Sequence, residues 1–315
     1  MSGIMQLLLG ASFKPAVVAR GLFGGGINAS GSSAINVISY ITISTAGNAT
    51  DFGDLSANNY ALGSCASETR GLFGAGYTNT RVNVIEYVTI DTAGNSTDFG
   101  DLNVSVNQNA GCSSSTRGIF AGGVSNTSGG IGINVIDYVT IATTGNATDF
   151  GDLTQVTNNF GSCSSTTRGL FGGGVDSSLN VINVIGYITI ASAGNATDFG
   201  DLSVSRRGVT SCSSNTRGLF DGGFTGFAKS SVIDYVTIAS AGNATDFGDL
   251  LASVELTAAC SSSTRGVFGG GDTGSTQNVI QYVTIASAGN STDFGDLTEA
   301  AYWFAGCSNN HGGLP

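Results

Sequence analysis

Arginine and paired aspartate are the residues in this chain best suited to chemistry, and they recur at fixed spacing. Arg20, Arg70, Arg117, Arg168, Arg217 and Arg265 each open a glycine-rich segment such as RGLFGGG. Some 30 residues further on, each is followed by a TDFGD segment carrying Asp51/Asp54, Asp98/Asp101, Asp149/Asp152, Asp198/Asp201, Asp246/Asp249 or Asp293/Asp296. Two carboxylates held close together can act as general acid and base, and with further oxygen ligands they could hold calcium. An active site is normally singular, however, and here the same acids return six times. The sequence therefore favours a structural role, with each Arg and Asp forming a bidentate pair within or between units.

The other reactive residue types point the same way. Cys65, Cys112, Cys163, Cys212, Cys260 and Cys307 occur once per unit, with no CxxC and no neighbouring histidine, so small buried apolar side chains are expected rather than disulfides or a metal site. His311 is the only histidine and is expected to be solvated near the end of the chain. Asn48, Asn95, Asn146, Asn195, Asn243 and Asn290 each begin N-x-T, which is a glycosylation sequon only in a secreted eukaryotic chain; here the asparagine is expected to serve a turn. No nucleophile elbow or phosphate-binding lysine loop occurs. We therefore expect no catalysis, cofactor or metal.

The elements that carry these residues are themselves repeated. The intervals between the six arginines are 50, 47, 51, 49 and 48 residues, so near-copies of one unit fill almost the whole chain. Segments such as NVISYITIS (36–44) and NVIDYVTIA (134–142) are β-branched around a central Tyr and predict strands. An A-G-N turn follows, then the TDFGD strand, a variable loop, a strand ending in the cysteine, and a CSSSTRG turn into the next RGLFGGG. Four short antiparallel strands per unit fit a propeller blade. A solenoid would need capping repeats, and none is evident. The chain starts its first unit without a cysteine strand and ends on AYWFAGC with no Arg strand after it. The expected fold is thus all-β, a six-bladed β-propeller over 20–315 whose ring is closed by the C-terminal strand completing the first blade. Residues 1–19 match no repeat and are expected to form an extension or docking arm.

The Gly-Gly pair ending the second strand, the aromatic in the third and the aromatic in the fourth resemble the kelch repeat of β-propellers. One departure is the Phe of DFGD where kelch repeats usually carry Trp. The wording NVIDYVTIATTGNATDFGDL (134–153) with CSSSTRGVFGGG (260–271) also resembles kelch-like proteins of tailed bacteriophages, especially marine and cyanobacterial ones. That resemblance implies a virion structural protein, present in several copies, that attaches to other tail or capsid proteins. The alternative it leaves is a receptor-binding adhesin recognising a host cell-surface glycan. Galactose-oxidase-like kelch enzymes need metal-ligating histidines, which one His cannot supply.

Charge adds two exclusions. The net charge is −11, and the two TDFGD aspartates in each of six copies make up twelve of the 22 acids. No basic stripe exists for nucleic acid. The opening MSGIMQLLLGASFKPAVV is interrupted by Lys14 and Pro15 and is too short to span a bilayer, and it lacks the basic start of a signal peptide. With the cysteine strand innermost, as the resemblance to kelch repeats implies, the two variable loops share one face and the two near-invariant turns share the other. Loop variation on a rigid scaffold is where recognition usually sits. The candidate contact residues are Tyr77, Arg81, Phe224, Phe227 and Lys229 after the glycines, and Tyr60, Arg206, Arg207, Tyr302 and Trp303 before the cysteines. For Tyr60, Tyr302 and Trp303 the favoured role is that of strand residues filling blade packing.

Overall fold

The computed structural model describes residues 18–30 and 33–315. It is all-β, with six antiparallel sheets arranged as a six-bladed propeller. Each blade runs outward from a cysteine strand through an Arg strand and a Tyr strand to an Asp strand. In the fourth blade these are Gly161–Ser164, Arg168–Gly172, Val184–Thr189 and Thr197–Asp201. The first blade takes its cysteine strand from the C-terminal end: Ala305–Ser308 pairs with Arg20–Gly24 through Gly21↔Ser308 and Leu22↔Cys307. The predicted closure is therefore what joins the ends of the described chain. The expectation of a docking arm falls mainly on residues 1–17, outside the described residues. The last two residues of that stretch run into the ring, where the Ala19 carbonyl accepts the Ile43 N–H at 2.9 Å.

The repeat residues are constant because each faces the next blade. Cys65 Sγ lies against Gly118, Cys112 against Gly169, Cys163 against Gly218, and so on to Cys260 against Gly21. A Cβ on Gly218 would sit 2.7 Å from the Cys163 sulfur, so the buried thiol occupies the space that the glycine leaves. All six cysteines are buried and unpaired. The Phe of the next Arg strand presses on Gly24, Gly74 and Gly172 in the same way: a Cβ on Gly172 would lie 2.7 Å from the Phe220 ring.

At the outer rim the A-G-N turn of one blade clasps the Asp strand of the blade before it. Gly194 N–H donates to Phe150 O at 2.7 Å, Ala196 N–H donates to Asp152 O at 2.7 Å, and Asn195 Oδ1 accepts the Asp152 N–H at 3.1 Å. The same three bonds occur at every interface, including Asp296 N–H to Asn48 Oδ1 at 3.0 Å where the ring closes. These asparagines therefore serve the neighbouring blade more than their own turn. The glycine of DFGD makes the approach possible. Gly151 has φ +144°, and a Cβ there would lie 2.6 Å from the Gly194 carbonyl carbon.

Candidate functional site: the variable face and its axial well

The recurrent arginines do not pair with the recurrent aspartates. Each guanidinium lies over the Tyr of its own blade, 4.6 Å from the ring centre for Arg70–Tyr87 and 4.7 Å for Arg117–Tyr138. It also donates through Nη1 to a carbonyl of the next blade, as in Arg117 to Ile190 O at 3.0 Å and Arg265 to Ile43 O at 3.1 Å. Among the described residues no ion pair joins Arg20, Arg70, Arg117, Arg168, Arg217 or Arg265 to the aspartates of TDFGD. The first Asp of each pair (Asp51, Asp98, Asp149, Asp198, Asp246, Asp293) is exposed, and water solvates its charge. The second (Asp54, Asp101, Asp152, Asp201, Asp249, Asp296) contributes its backbone to the clasp. The repeat chemistry is thus scaffold, with a carbonyl and a ring as the arginine partners in place of a carboxylate.

His311 is likewise not the freely solvated residue expected: it is half-buried. Its Nε2 lies 3.0 Å from Ala66 O and 3.2 Å from Ser113 Oγ, inside the axis of the ring, and burial lowers its pKa. Ser113, Ser164, Ser213, Ser261 and Ser308 line this level of the axis, each hydroxyl donating to the carbonyl of the preceding blade, as in Ser164 to Ser113 O at 2.8 Å. Gly312 and Gly313 thread between these carbonyls so closely that a Cβ on either would clash, and Gly312 N–H donates to Ser213 O at 3.0 Å. The His-Gly-Gly segment forms a floor across the channel on the side of the near-invariant turns.

The opposite end is open and is framed by a feature that residue-type reasoning missed. Ala61, Gln108, Asn159, Gly208, Leu256 and Trp303 stand four residues before the six cysteines, and all have φ between 56° and 62°. The N–H of each donates to the carbonyl of its counterpart in the preceding blade: Ala61 to Trp303 at 2.7 Å, Gln108 to Ala61 at 2.7 Å, and so on round to Trp303 to Leu256 at 3.0 Å. Six backbone hydrogen bonds therefore close a circle around the mouth of the channel. Five of the six residues are not glycine, and each holds a left-handed conformation that costs on the order of 1–3 kcal/mol. The signal was available in the sequence. The residue four before the cysteine differs in all six copies, whereas the residue after it is Ser in five and Ala66 in the other.

Between mouth and floor lies a blind well, with an upper cavity of about 110 Å³ and a lower one of about 50 Å³. No charged side chain lines the upper cavity. Asn109 on its wall is 7% exposed, and neither its Oδ1 nor its Nδ2 has a partner. Ser211 Oγ, also on the wall, and Trp303 Nε1 at the mouth are unpartnered as well. Leaving such groups unsatisfied costs about 1–3 kcal/mol each.

Around the mouth the structure assembles most of the candidate contact residues into one arc. Tyr77, Tyr60, Trp303 and Tyr302 form a continuous run of partly exposed rings, with centroid separations of 5.3, 5.7 and 6.0 Å. Arg81 lies at one end of the run, its Nε donating to Asn107 Oδ1 at 2.9 Å. Burial raises the pKa of Tyr60 and of Tyr302, with neighbouring Tyr77 and Asp272 respectively adding to the effect. Beyond Tyr302, Lys229 Nζ bridges Asp272 at 2.7 Å and Glu255 at 3.7 Å, and Arg207 lies over the Phe224 ring at 5.0 Å. Phe227 is 97% exposed at its loop tip.

Arg206 is the exception and corrects the expectation that it faces a partner. It is fully buried, paired with Asp234 at 2.7 Å, and donates to Gly222 O at 2.6 Å and Val232 O at 2.7 Å. Asp221, also fully buried, stands nearby, where Thr257 Oγ1 donates to it at 3.2 Å. Arg206 is held inside its blade because two buried carboxylates there call for a cation.

No helix among the described residues is long and apolar enough to cross a membrane, and no group of three or more His, Cys, Asp or Glu among them is arranged to hold a metal ion. In comparison with known proteins, no protein-family model and no curated sequence matches the chain. The likeness to kelch repeats therefore rests on the residues of the repeat itself, and the propeller on the blades described above.

Proposed function

We propose that this protein is a non-enzymatic attachment module, a structural component of a tailed-phage particle whose variable face makes the contact. One observation carries the recognition part of this reading. Wherever blades touch, the repeat is held constant by Cys–Gly and Asn-clasp contacts, and on one face alone the copies diverge, presenting strained mouth residues and an arc of aromatic and charged side chains. Backbone strain often gathers at functional positions. The placement on a virion is supported by the resemblance of the repeat wording to phage kelch-like proteins.

Gold-labelled antibody against the chain, applied to purified particles from the source, tests this placement. Labelling of the tail or capsid is the expected result; unlabelled particles that lack the chain by peptide mass mapping would remove it from the virion. Incubating the protein with host envelope polysaccharide tests the non-enzymatic part. Release of new reducing ends would show an activity that this reading denies.

A further inference from the structure

Two loop tips on the variable face hold large apolar side chains out in water. Among the described residues seven large apolar side chains are exposed, and four of them, Leu179, Val204, Phe227 and Leu251, lie on loops of blades four and five on this face. Phe227 is 97% exposed and Leu179 is 69% exposed. Both are fixed by their loops. Asp176 Oδ1 accepts the N–H groups of Ser178 at 2.8 Å and Asn180 at 2.9 Å, and Leu179 between them has φ +65°. A bulky side chain avoids that left-handed conformation, so the loop presents Leu179 against backbone strain. At the other tip Thr225 N–H donates to Ala228 O at 2.9 Å, and Thr225 Oγ1 accepts the Ala228 N–H at 3.2 Å, closing a tight turn around Phe227. The two loops adjoin: a Cβ on Gly226 would lie 3.7 Å from Val181 Cγ2. The matching loops of blades two and six, TNTR (78–81) and TGSTQ (273–277), carry no large apolar side chain, so the fold does not require one there. Apolar anchors that are already ordered lose little freedom on entering a partner's pocket, and their burial there favours binding.

The surroundings of the two tips decide the partner's chemistry. Leu179, Val204 and Leu251 are aliphatic and offer no hydrogen bond to a hydroxyl-rich glycan. An anionic bilayer is opposed by the net charge of −11, and Lys229, the cation beside Phe227, is already bridged to Asp272 at 2.7 Å and Glu255 at 3.7 Å. Apolar protein surface fits both tips. Hydrogen bonds from Asn180 and Ser178 lower the pKa of Asp176, so a carboxylate stands at the foot of the Leu179 loop, and a cation on the partner's rim complements it.

We propose that blades four and five dock a folded protein, with Phe227 and Leu179 inserted as anchors into an apolar cleft whose rim carries a cation opposite Asp176. This rests on the reading of the variable face as the contact face. To test it, benzoylphenylalanine is incorporated at position 227 of the full chain and photolysed in an extract of the source. The protein it joins is purified and titrated against the parent chain and its variants. Phe227→Ser and Leu179→Asn should each weaken binding tenfold or more. Neither should lower Tm, because Phe227 is almost fully exposed and Asn suits φ +65° better than Leu does. Ser275→Ala, on the polar tip of blade six, should leave binding unchanged. A cross-link only to lipid, only to a second copy of the chain, or to nothing overturns the proposal, as does binding indifferent to both anchor variants. Binding that is lost instead on Tyr60→Ala or Tyr77→Ala removes the anchors and keeps the face; binding indifferent to every change on this face removes both.

Discussion

Asp221 stands where the other blades carry Gly24, Gly74, Ala121, Gly172 and Gly269, and its carboxyl is fully buried. Burial pushes its pKa from 3.8 to about 7, against the opposing pull of the Thr257 hydroxyl and the Arg206 guanidinium. Between these two values the unfolded chain has released the proton while the folded chain still holds it. Stability therefore falls as pH rises through this window, by about 1.4 kcal/mol per unit, and the fall ends above about pH 7 where both states are ionised. Asp221→Asn keeps the shape and an acceptor for Thr257 but does not ionise. In urea unfolding at pH 4.5 and pH 8, the variant should gain about 3 kcal/mol on the parent protein between the two conditions. His311, whose lowered pKa acts in the opposite sense by losing stability as pH drops below 6.5, is common to both proteins and cancels in the difference. Parallel pH curves for the two proteins would refute the reasoning. That parallel result would mean that Arg206 holds Asp221 ionised throughout.

Three further outcomes test the blade interfaces by equilibrium unfolding. Gly151→Ala, at φ +144° beneath the Gly194 turn, should cost about 3 kcal/mol or more, whereas Gly242→Ala, which faces open space, should stay within about 0.5 kcal/mol; equal effects would show that the clasp is not tight. Gly218→Ala should cost about 1–3 kcal/mol through its clash with Cys163, and adding Cys163→Ala should recover about 1 kcal/mol or more of that; strict additivity would separate the two residues. Arg117→Ala should cost about 1–2 kcal/mol through loss of the Tyr138 and Ile190 contacts, while Asp149→Ala changes little. Strong coupling of Arg117 to Asp149 in a double-mutant cycle would restore the ion pair that the geometry lacks.

The fold was legible because its signals are local and repeated. The β-branched run around each Tyr, the glycines that end the Arg strand, and a spare cysteine strand at 305–308 were enough to predict six blades and the way they close. The partners of the charged residues were not legible. Residue types propose carboxylates for an arginine, but the nearest acceptor across the interface is a backbone carbonyl, which every residue possesses. Arg206 looked like a surface residue because it lies in a variable loop. Its partner Asp234 and the nearby Asp221 come from different strands, and the only hint was the Asp that breaks RGLFGGG in the fifth blade. The mouth circle was hidden for a related reason. Its six members share a backbone conformation but no side-chain type, so an eye searching for constancy passes over them. His311 and its two glycines lie outside the repeat, and only the ring around them shows why small residues are needed there.

The most direct test of the central claim, that the variable face is the working surface of a closed six-bladed ring, is cryo-electron microscopy of the intact particle at a resolution that separates blades. The account expects a six-bladed disc on the tail or capsid with the arc from Arg207 through Trp303 to Arg81 either against a neighbouring protein or turned outward to the host. A disc seated through its variable loops would make it a joint, and one seated through its near-invariant turns would make it a receptor-facing module. A disc held edge-on with both faces bare, or particles with no disc at all, would contradict it.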